Sequence, residues 1–596
     1  MNKKLSVLAK RYYEYIYKSA PTFATYLGIH KYDHLIGDFS KEAIKRDVKK
    51  FKEFKKEVAL LKKEIMKQGS RSGFLLAQAS RLTGRDDSEE SSRPSSNNTL
   101  STGNLRANDP PAGGGVEKFQ DWTDYQLLMS DIEANLLFLT KSKDWRKNPN
   151  IYVETPLMGV FLLISRDTLT LSQRVRAVAS RLNLYEKMLA QGRANVKSAP
   201  RIYTQIALET LAGAQFFVSR VPEELKSRGR ISQRGKRALE MAVEKALAAL
   251  TLHKDYLGEL LKGDDVDFSL GRKVFEKRLK LENFLDLDAR GLLELGLREF
   301  TRIEGELTKL ARDLSEGKTW PQLVEEYKKL VPEKYGLVDL YKREVTSLIK
   351  FLKKKQLVTF PKKEICIVEE TPSFERPTVP YAAYMPPAPF EAKQVGFFWV
   401  TPINASAPTD AQKEQLKEHS LPSFMITTLH ESYPGHHLQF CLANEGGSLV
   451  RKHGQSSLLC EGWALYCEQM MGEEGYYTDP RTKLFMLKDE LWRAARVIID
   501  VSMHCFGMTP QEAIKILVEK VKLAPTQAEA EVKRYTMSPT QPMSYLVGKL
   551  LILEMRERAK KLWGNKFSLK KFHDAFLSCG TIPQPLIEKE LFPKKV

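Results

Sequence analysis

Leu292-Leu293-Glu294-Leu295-Gly296-Leu297-Arg298-Glu299-Phe300-Thr301-Arg302-Ile303-Glu304-Gly305-Glu306-Leu307-Thr308-Lys309-Leu310 sets its apolar residues at three- and four-residue steps and fills the positions between with charge. A chain turning 100° per residue gathers such residues on one helical face, whereas a half-buried strand needs strict alternation. Ile132 to Leu139 and Ala513 to Val521 repeat the helical pattern. Alternating stretches are few: Val395-Gly396-Phe397-Phe398-Trp399-Val400 is the clearest, and Glu364 to Val368 is a second. The expected fold is mainly α, with many helices and a small β-sheet.

With 596 residues and 42% hydrophobic content, the chain can bury a large or multi-lobed core without staples. Cys366, Cys441, Cys460, Cys467, Cys505 and Cys579 form no C-x-x-C pair, which points away from a zinc ribbon or redox motif and towards a reduced, cytoplasmic setting. After Met1-Asn2-Lys3-Lys4 the chain meets charge too soon for a signal peptide, and no apolar run is long enough to span a membrane. The formal charge of +20 lies along segments such as Lys49-Lys50-Phe51-Lys52 and Lys353-Lys354-Lys355, the pattern of solvated helix faces, with no nucleic-acid motif beside it. Neither nucleic acid nor membrane is expected as a partner, and nothing in the sequence sets the oligomeric state.

Thr83 to Gly115, rich in Ser, Asn, Gly and Pro, reads as a disordered insertion. The Pro- and Tyr-rich passage Glu369 to Pro389 separates an N-terminal helical part, 1–368, from a catalytic part, 369–596, the two forming one continuous fold around a cleft.

Three of the ten histidines fall within His430-Glu431-Ser432-Tyr433-Pro434-Gly435-His436-His437. Histidine is the commonest zinc ligand, and a glutamate directly after the first ligand is where metalloproteases place the base that takes a proton from water. The second histidine comes later than in H-E-x-x-H. Pro434 cannot donate a hydrogen bond to the carbonyl of His430 and clashes with it, so the helix is expected to kink or bulge there. A two-residue bulge gives the i+4 role to His436, and a simple bend aims His437 instead. His436 is preferred, leaving His437 as substrate contact, orienting group or alternative ligand. A catalytic zinc needs a third protein ligand. Cys460-Glu461-Gly462-Trp463-Ala464-Leu465-Tyr466-Cys467-Glu468 reads as a buried helix on which Glu461 or Glu468 would be costly unless paired or metal-bound. Glu461 lies 25 residues after His436.

This layout resembles the helical gluzincins, among them the thimet-oligopeptidase and angiotensin-converting-enzyme families. The motif set is closer still to the mostly bacterial family catalogued as domain of unknown function 885. The resemblance rests on Ala24-Thr25-Tyr26-Leu27-Gly28, His430 through Gln439, Glu461-Gly462-Trp463-Ala464-Leu465-Tyr466, Arg493 to His504, and Arg534-Tyr535 to Gly548, and it covers nearly the whole chain outside the insertion. Where such families write Pro-Gly-Gln, this chain has Pro539-Thr540-Gln541. The resemblance implies a gluzincin-like peptidase fold with a small sheet beside the active-site cleft, and one Zn2+ on His430, His436 and Glu461. Glu431 would be the base. Tyr545, on a late segment where related enzymes keep a donor tyrosine, would stabilise the oxyanion, although a structural tyrosine fits its surroundings as well.

Arg493, Arg496, Asp500 and His504 form one polar stripe on an otherwise apolar helix. Either arginine would hold a substrate carboxylate, and Asp500 or His504 would orient a ligand from behind; the competing reading is an internal ion-pair network. The sequence thus points to a zinc metallopeptidase of oligopeptidase or carboxypeptidase type, acting on a peptide substrate. The alternatives are a metal-dependent hydrolase of non-peptide amides and a non-catalytic basic helical binding protein.

Overall fold

The computed structural model describes residues 2–81, 116–372, 376, 379 and 381–593. The 83–115 stretch lies outside the described residues. The fold is mainly α with one three-stranded sheet. No helix among the described residues is long and apolar enough to cross a membrane, and the six cysteines are free thiols.

The opening stripe becomes helix α1, Ala289–Leu314, capped by Asp288, which accepts the N–H of Gly291. Its buried residues, Leu292, Leu295, Ile303 and Leu307 among them, run down a single face. Each such side chain contributes about 1.5–3 kcal/mol by leaving water. Gly296 lets α1 lie close on a later helix: a Cβ there would stand 3.0 Å from Ile498 and 3.1 Å from Val497.

Strand β1, Glu364–Glu370, pairs in parallel with β3, Gln394–Val400, and β2, Ala382–Met385, pairs antiparallel with the other side of β3. The sequence pointed to β1 and β3 but not to β2. Ala-Ala-Tyr-Met is short, lacks alternation and sits among prolines, so only its tertiary pairing makes it a strand.

Of the helices that follow, six build the site and its surroundings: α2, Leu421–Glu431; α3, His436–Glu445; α4, Ser457–Glu473; α5, Pro480–Cys505; α6, Pro525–Met537; and α7, Ser544–Trp563. The largest core runs from Phe275 to Phe592 and wraps the sheet with α2 to α5 and α7, so it includes α1, which precedes residue 369, while α6 packs on one face of α5 in a separate cluster. A second core joins the helices of 150–257 and takes in Met385 and Trp399 from the sheet. A third, of residues 5–132 with Val450, packs aromatic side chains edge to face, such as Tyr12 against Phe54, ring centroids 5.4 Å apart. Its helices meet the sheet region at Gly28, whose φ of +88° suits glycine and where a Cβ would touch Glu391 and Ala388.

Candidate metal centre and its cleft

α2 ends at Glu431 and α3 starts at His436. The expected kink or bulge within one helix is therefore corrected to a full break. Pro434 has no N–H to offer the ladder. Gly435 instead donates its N–H to the carbonyl of Leu429 at 3.1 Å, so near the α2 terminus that a Cβ would fall 1.9 Å from the His430 carbonyl oxygen. The Trp463 indole N–H, donated to the Pro434 carbonyl at 2.8 Å, pins the turn to α4. Two helix ends thus meet, and the His430 and His436 rings stand perpendicular with centroids 4.8 Å apart.

Glu461 comes from α4, whose position is set by a glycine crossing. A Cβ on Gly462 would lie 2.5 Å from the Cα of Gly548, and one on Gly548 would lie 2.1 Å from the Leu458 carbonyl oxygen. The α4 and α7 backbones therefore touch, with Glu461 one residue from the contact and Tyr545 one turn before it.

The ligand atoms of His430, His436 and Glu461 all lie within 4.8 Å of one another. Glu461 Oε2 stands 3.4 Å from His436 Nε2 and 3.8 Å from His430 Nε2. Those gaps are long for hydrogen bonds. They are close to the separation of about 3.4 Å expected for two donors bound about 2.1 Å from a tetrahedral zinc. His430 Nδ1 meets Glu468 Oε1 at 2.7 Å; with the proton on that nitrogen, the Nε2 lone pair is left for an ion. Burial opposes charge on both partners, yet the carboxylates of Glu461 and Glu468 push His430 up to about 10. The two imidazoles hold Glu461 well below the usual carboxylate range. Two imidazole nitrogens and one carboxylate oxygen are a donor set that fits a borderline divalent cation such as zinc.

His437 does not join this set, and its assignment as alternative ligand or substrate contact is corrected. It follows His436 by one residue, a turn of about 100° round the helix. Fully buried, its Nε2 lies 2.7 Å from Glu364 of β1, and its Nδ1 lies 2.8 Å from the Tyr384 hydroxyl of β2. A Cβ at Gly396 would collide with both Tyr384 and His437, so that glycine makes room for the pair. The sheet thereby anchors α3.

A cleft of about 190 Å³ opens beside the centre, lined by His430, Glu431, Glu468, Arg493, Arg496 and Tyr545 among others. Arg496 stacks between Trp492 and Tyr545, its guanidinium carbon 4.3 and 4.5 Å from the two ring centroids. It donates to the Tyr535 hydroxyl at 2.9 Å and to Glu531 at 3.1 Å. Arg493 donates to the Asp489 carbonyl at 3.1 Å, with its guanidinium 5.8 Å from the Tyr545 centroid. Both arginines line the cleft, and Arg496 also belongs to an internal network with Glu531 and Arg534. Burial, with the charge of Glu461 added, raises the Tyr545 hydroxyl above its ordinary range and keeps it a donor.

Asp500 and His504 lie deeper in the fold, and their assignment as ligand-orienting groups is corrected. Asp500 accepts the N–H of Thr540 at 3.0 Å, and burial raises it well above the usual carboxylate range. His504 Nε2 lies 3.1 Å from the Tyr535 carbonyl, and burial lowers it to about 4. The carboxylate that meets His430 from behind is Glu468. Seven residues separate it from Glu461 on α4, two helical turns along one face, so a single helix supplies both carboxylates. Sequence reading singled out Glu468 but had no means of separating its role from that of Glu461, and it missed Glu364 and Tyr384 because their contacts cross between strands and α3.

The family model described as "Bacterial protein of unknown function (DUF885)" matches residues 21–591. The chain belongs to the DUF885 family. Every residue of the centre falls within that match. Two solved structures share the fold seen here. One, a "putative lipoprotein of unknown function" from Shewanella oneidensis, is 23% identical with a TM-score of 0.72 and is covered over 99% of both chains. The other, a "putative lipoprotein" from Colwellia psychrerythraea, is 20% identical with a TM-score of 0.76, covering 99% of this chain and 98% of that one. No curated protein matches the chain.

Proposed function

We propose that this chain is a metallopeptidase of gluzincin type that holds one Zn2+ on His430, His436 and Glu461. The observation that carries the reading is the spacing of the three donors, long for hydrogen bonds at 3.4 and 3.8 Å and suited to a shared ion. Such an ion, when bound, supplies a Lewis acid at neutral pH.

The remaining chemistry belongs to the protein. Glu431, half-buried on the cleft beside His430, takes a proton from the attacking water and passes it to the leaving amine. Glu468 fixes the tautomer and orientation of His430 through Nδ1. Tyr545 donates its hydroxyl to the negative charge that grows on the scissile carbonyl oxygen, its ring held by Arg496. A structural zinc site favours four closed protein ligands and has no use for a base, which weighs against the non-catalytic binding reading. Hydrolysis of a non-peptide amide would use the same groups and is separated from peptidase action by the bond cut in mixed amide and peptide libraries. The cytoplasmic setting expected from the cysteines draws no support from structural neighbours described as lipoproteins, and the chemistry is the same in either compartment.

Elemental analysis of the purified protein should find one zinc per chain. Glu431→Gln should keep the metal while turnover on a peptide library falls by about 10²–10⁴-fold. Unchanged turnover in that variant, or a protein that takes up no divalent metal, overturns the proposal.

A further inference from the structure

Two arginine donors on the cleft wall have nothing to bind. Arg493 Nε and Arg496 Nη1 are buried without a hydrogen-bond partner, although both side chains line the cleft that contains His430 and Glu431. Arg496 is only 4% exposed. Its other two nitrogens are committed to Tyr535 and Glu531, and its plane is clamped between the Trp492 and Tyr545 rings, so the free edge has a fixed direction. The lysines and arginines that line the cleft are matched in number by carboxylates, so what marks this wall is the pair of unfilled arginine donors and not a net charge.

A preorganised, buried and unsatisfied guanidinium edge recognises a planar anion, above all a carboxylate. Tyr545 links this edge to the centre: its ring touches Arg496, and it lines the same cleft as His430 and Glu431. We infer that Arg493 and Arg496 form a clamp for the C-terminal carboxylate of a peptide substrate, which makes the enzyme specific for bonds near a free C-terminus. The inference rests on the hydrolase reading of the adjoining centre for its substrate, but its test does not require turnover. An acidic side chain presents the same carboxylate chemistry, and the test separates that source from the terminus.

Full-length zinc-loaded Glu431→Gln protein is titrated calorimetrically with a tetrapeptide acid, the same peptide as its C-terminal amide, and an amide ending in glutamate. The acid should bind at least 30-fold more tightly than the plain amide. Equal affinities, or no binding of any peptide up to millimolar concentration, overturn the clamp. If the glutamate amide binds as tightly as the acid, the site reads side chains and the terminal assignment is overturned. Adding Arg493→Gln should shrink the gap between acid and amide to threefold or less; a gap of undiminished size removes Arg493 from the clamp. If that variant does not fold, Arg493→Lys, which keeps the charge but loses the fork, should still narrow the gap fivefold or more. Wild-type protein then separates the two readings. A binding gap without any peptide cleavage leaves the clamp standing and sinks the peptidase, whereas equal cleavage of acid and amide with no gap does the reverse.

Discussion

Two regions of this molecule place a histidine between carboxylates, and they differ in what they leave open. Near the N-terminus, His30 Nδ1 meets Asp33 at 2.7 Å and its Nε2 meets Glu391 at 2.6 Å. Both nitrogens are satisfied at hydrogen-bond distance, on opposite edges of the ring, so no point in space is shared by the donors. At the cleft, His430 is satisfied on one edge by Glu468, while its other edge stands 3.8 Å from Glu461 and faces a second imidazole. The first arrangement ties the 30–33 turn to the 386–391 segment. The second keeps an ion-sized gap. What separates a structural cluster from a candidate metal centre is the unfilled distance between the groups, more than the residue types present.

The largest effect is expected from closing or emptying that gap. Glu461→Ala should reduce zinc affinity by more than the roughly 100-fold that loss of an orienting partner costs, because it removes one of three ligands. Full zinc occupancy in the variant, measured by elemental analysis after dialysis against a weak chelator, would falsify the ligand assignment. Glu468→Gln keeps all three ligands but loses the charged orienting contact, so affinity should fall by about 10–100-fold. Glu391→Gln, the matching change at the closed cluster, should leave zinc content untouched; a loss there would erase the distinction between the two regions.

The closed cluster should instead show itself in stability. Hydrogen bonds to Asp33 and then Glu391 push His30 up to about 9. A histidine whose folded pKa is raised stabilises fully below its unfolded value and loses that contribution as pH rises through the folded value. The cluster should therefore contribute about 1–3 kcal/mol at pH 6, discounted for partial exposure, and almost nothing above pH 9. Denaturant unfolding of wild type and His30→Gln at both pH values checks this. A stability difference that grows with pH contradicts it.

The stripe of α1 and the alternation of β3 could be read from sequence because each depends on residues a few positions apart. The window of His430, Glu431 and His436 stood out for the same local reason, and the interval to Glu461 gave the third residue. What sequence could not supply was direction. Whether Glu461 or Glu468 faces His436 depends on how α4 crosses α7, and that is decided by Gly462 meeting Gly548, 86 positions apart. His437 is claimed by two strands, one of them too short to announce itself. Asp500 looked like a ligand's partner because the stripe on α5 is continuous, but the stripe runs from the cleft into the interior, and its inner end serves the backbone before α7.

That backbone gives the smallest and cleanest test of the contrast. Thr540 sits at φ +72°, in the left-handed region that a β-branched residue rarely adopts. The bond from its N–H to buried Asp500 holds the turn that leads into Tyr545. Forcing such a residue into this conformation costs about 1–2 kcal/mol, and the surrounding contacts offset it. Thr540→Gly removes that strain but adds freedom to the unfolded chain, so the net gain should be about 0.5–1 kcal/mol. Zinc content and the pH response of the His30 cluster should stay as they are. If the glycine variant proves less stable, the Thr540 side chain contributes packing that outweighs the strain, and the turn is held by more than Asp500.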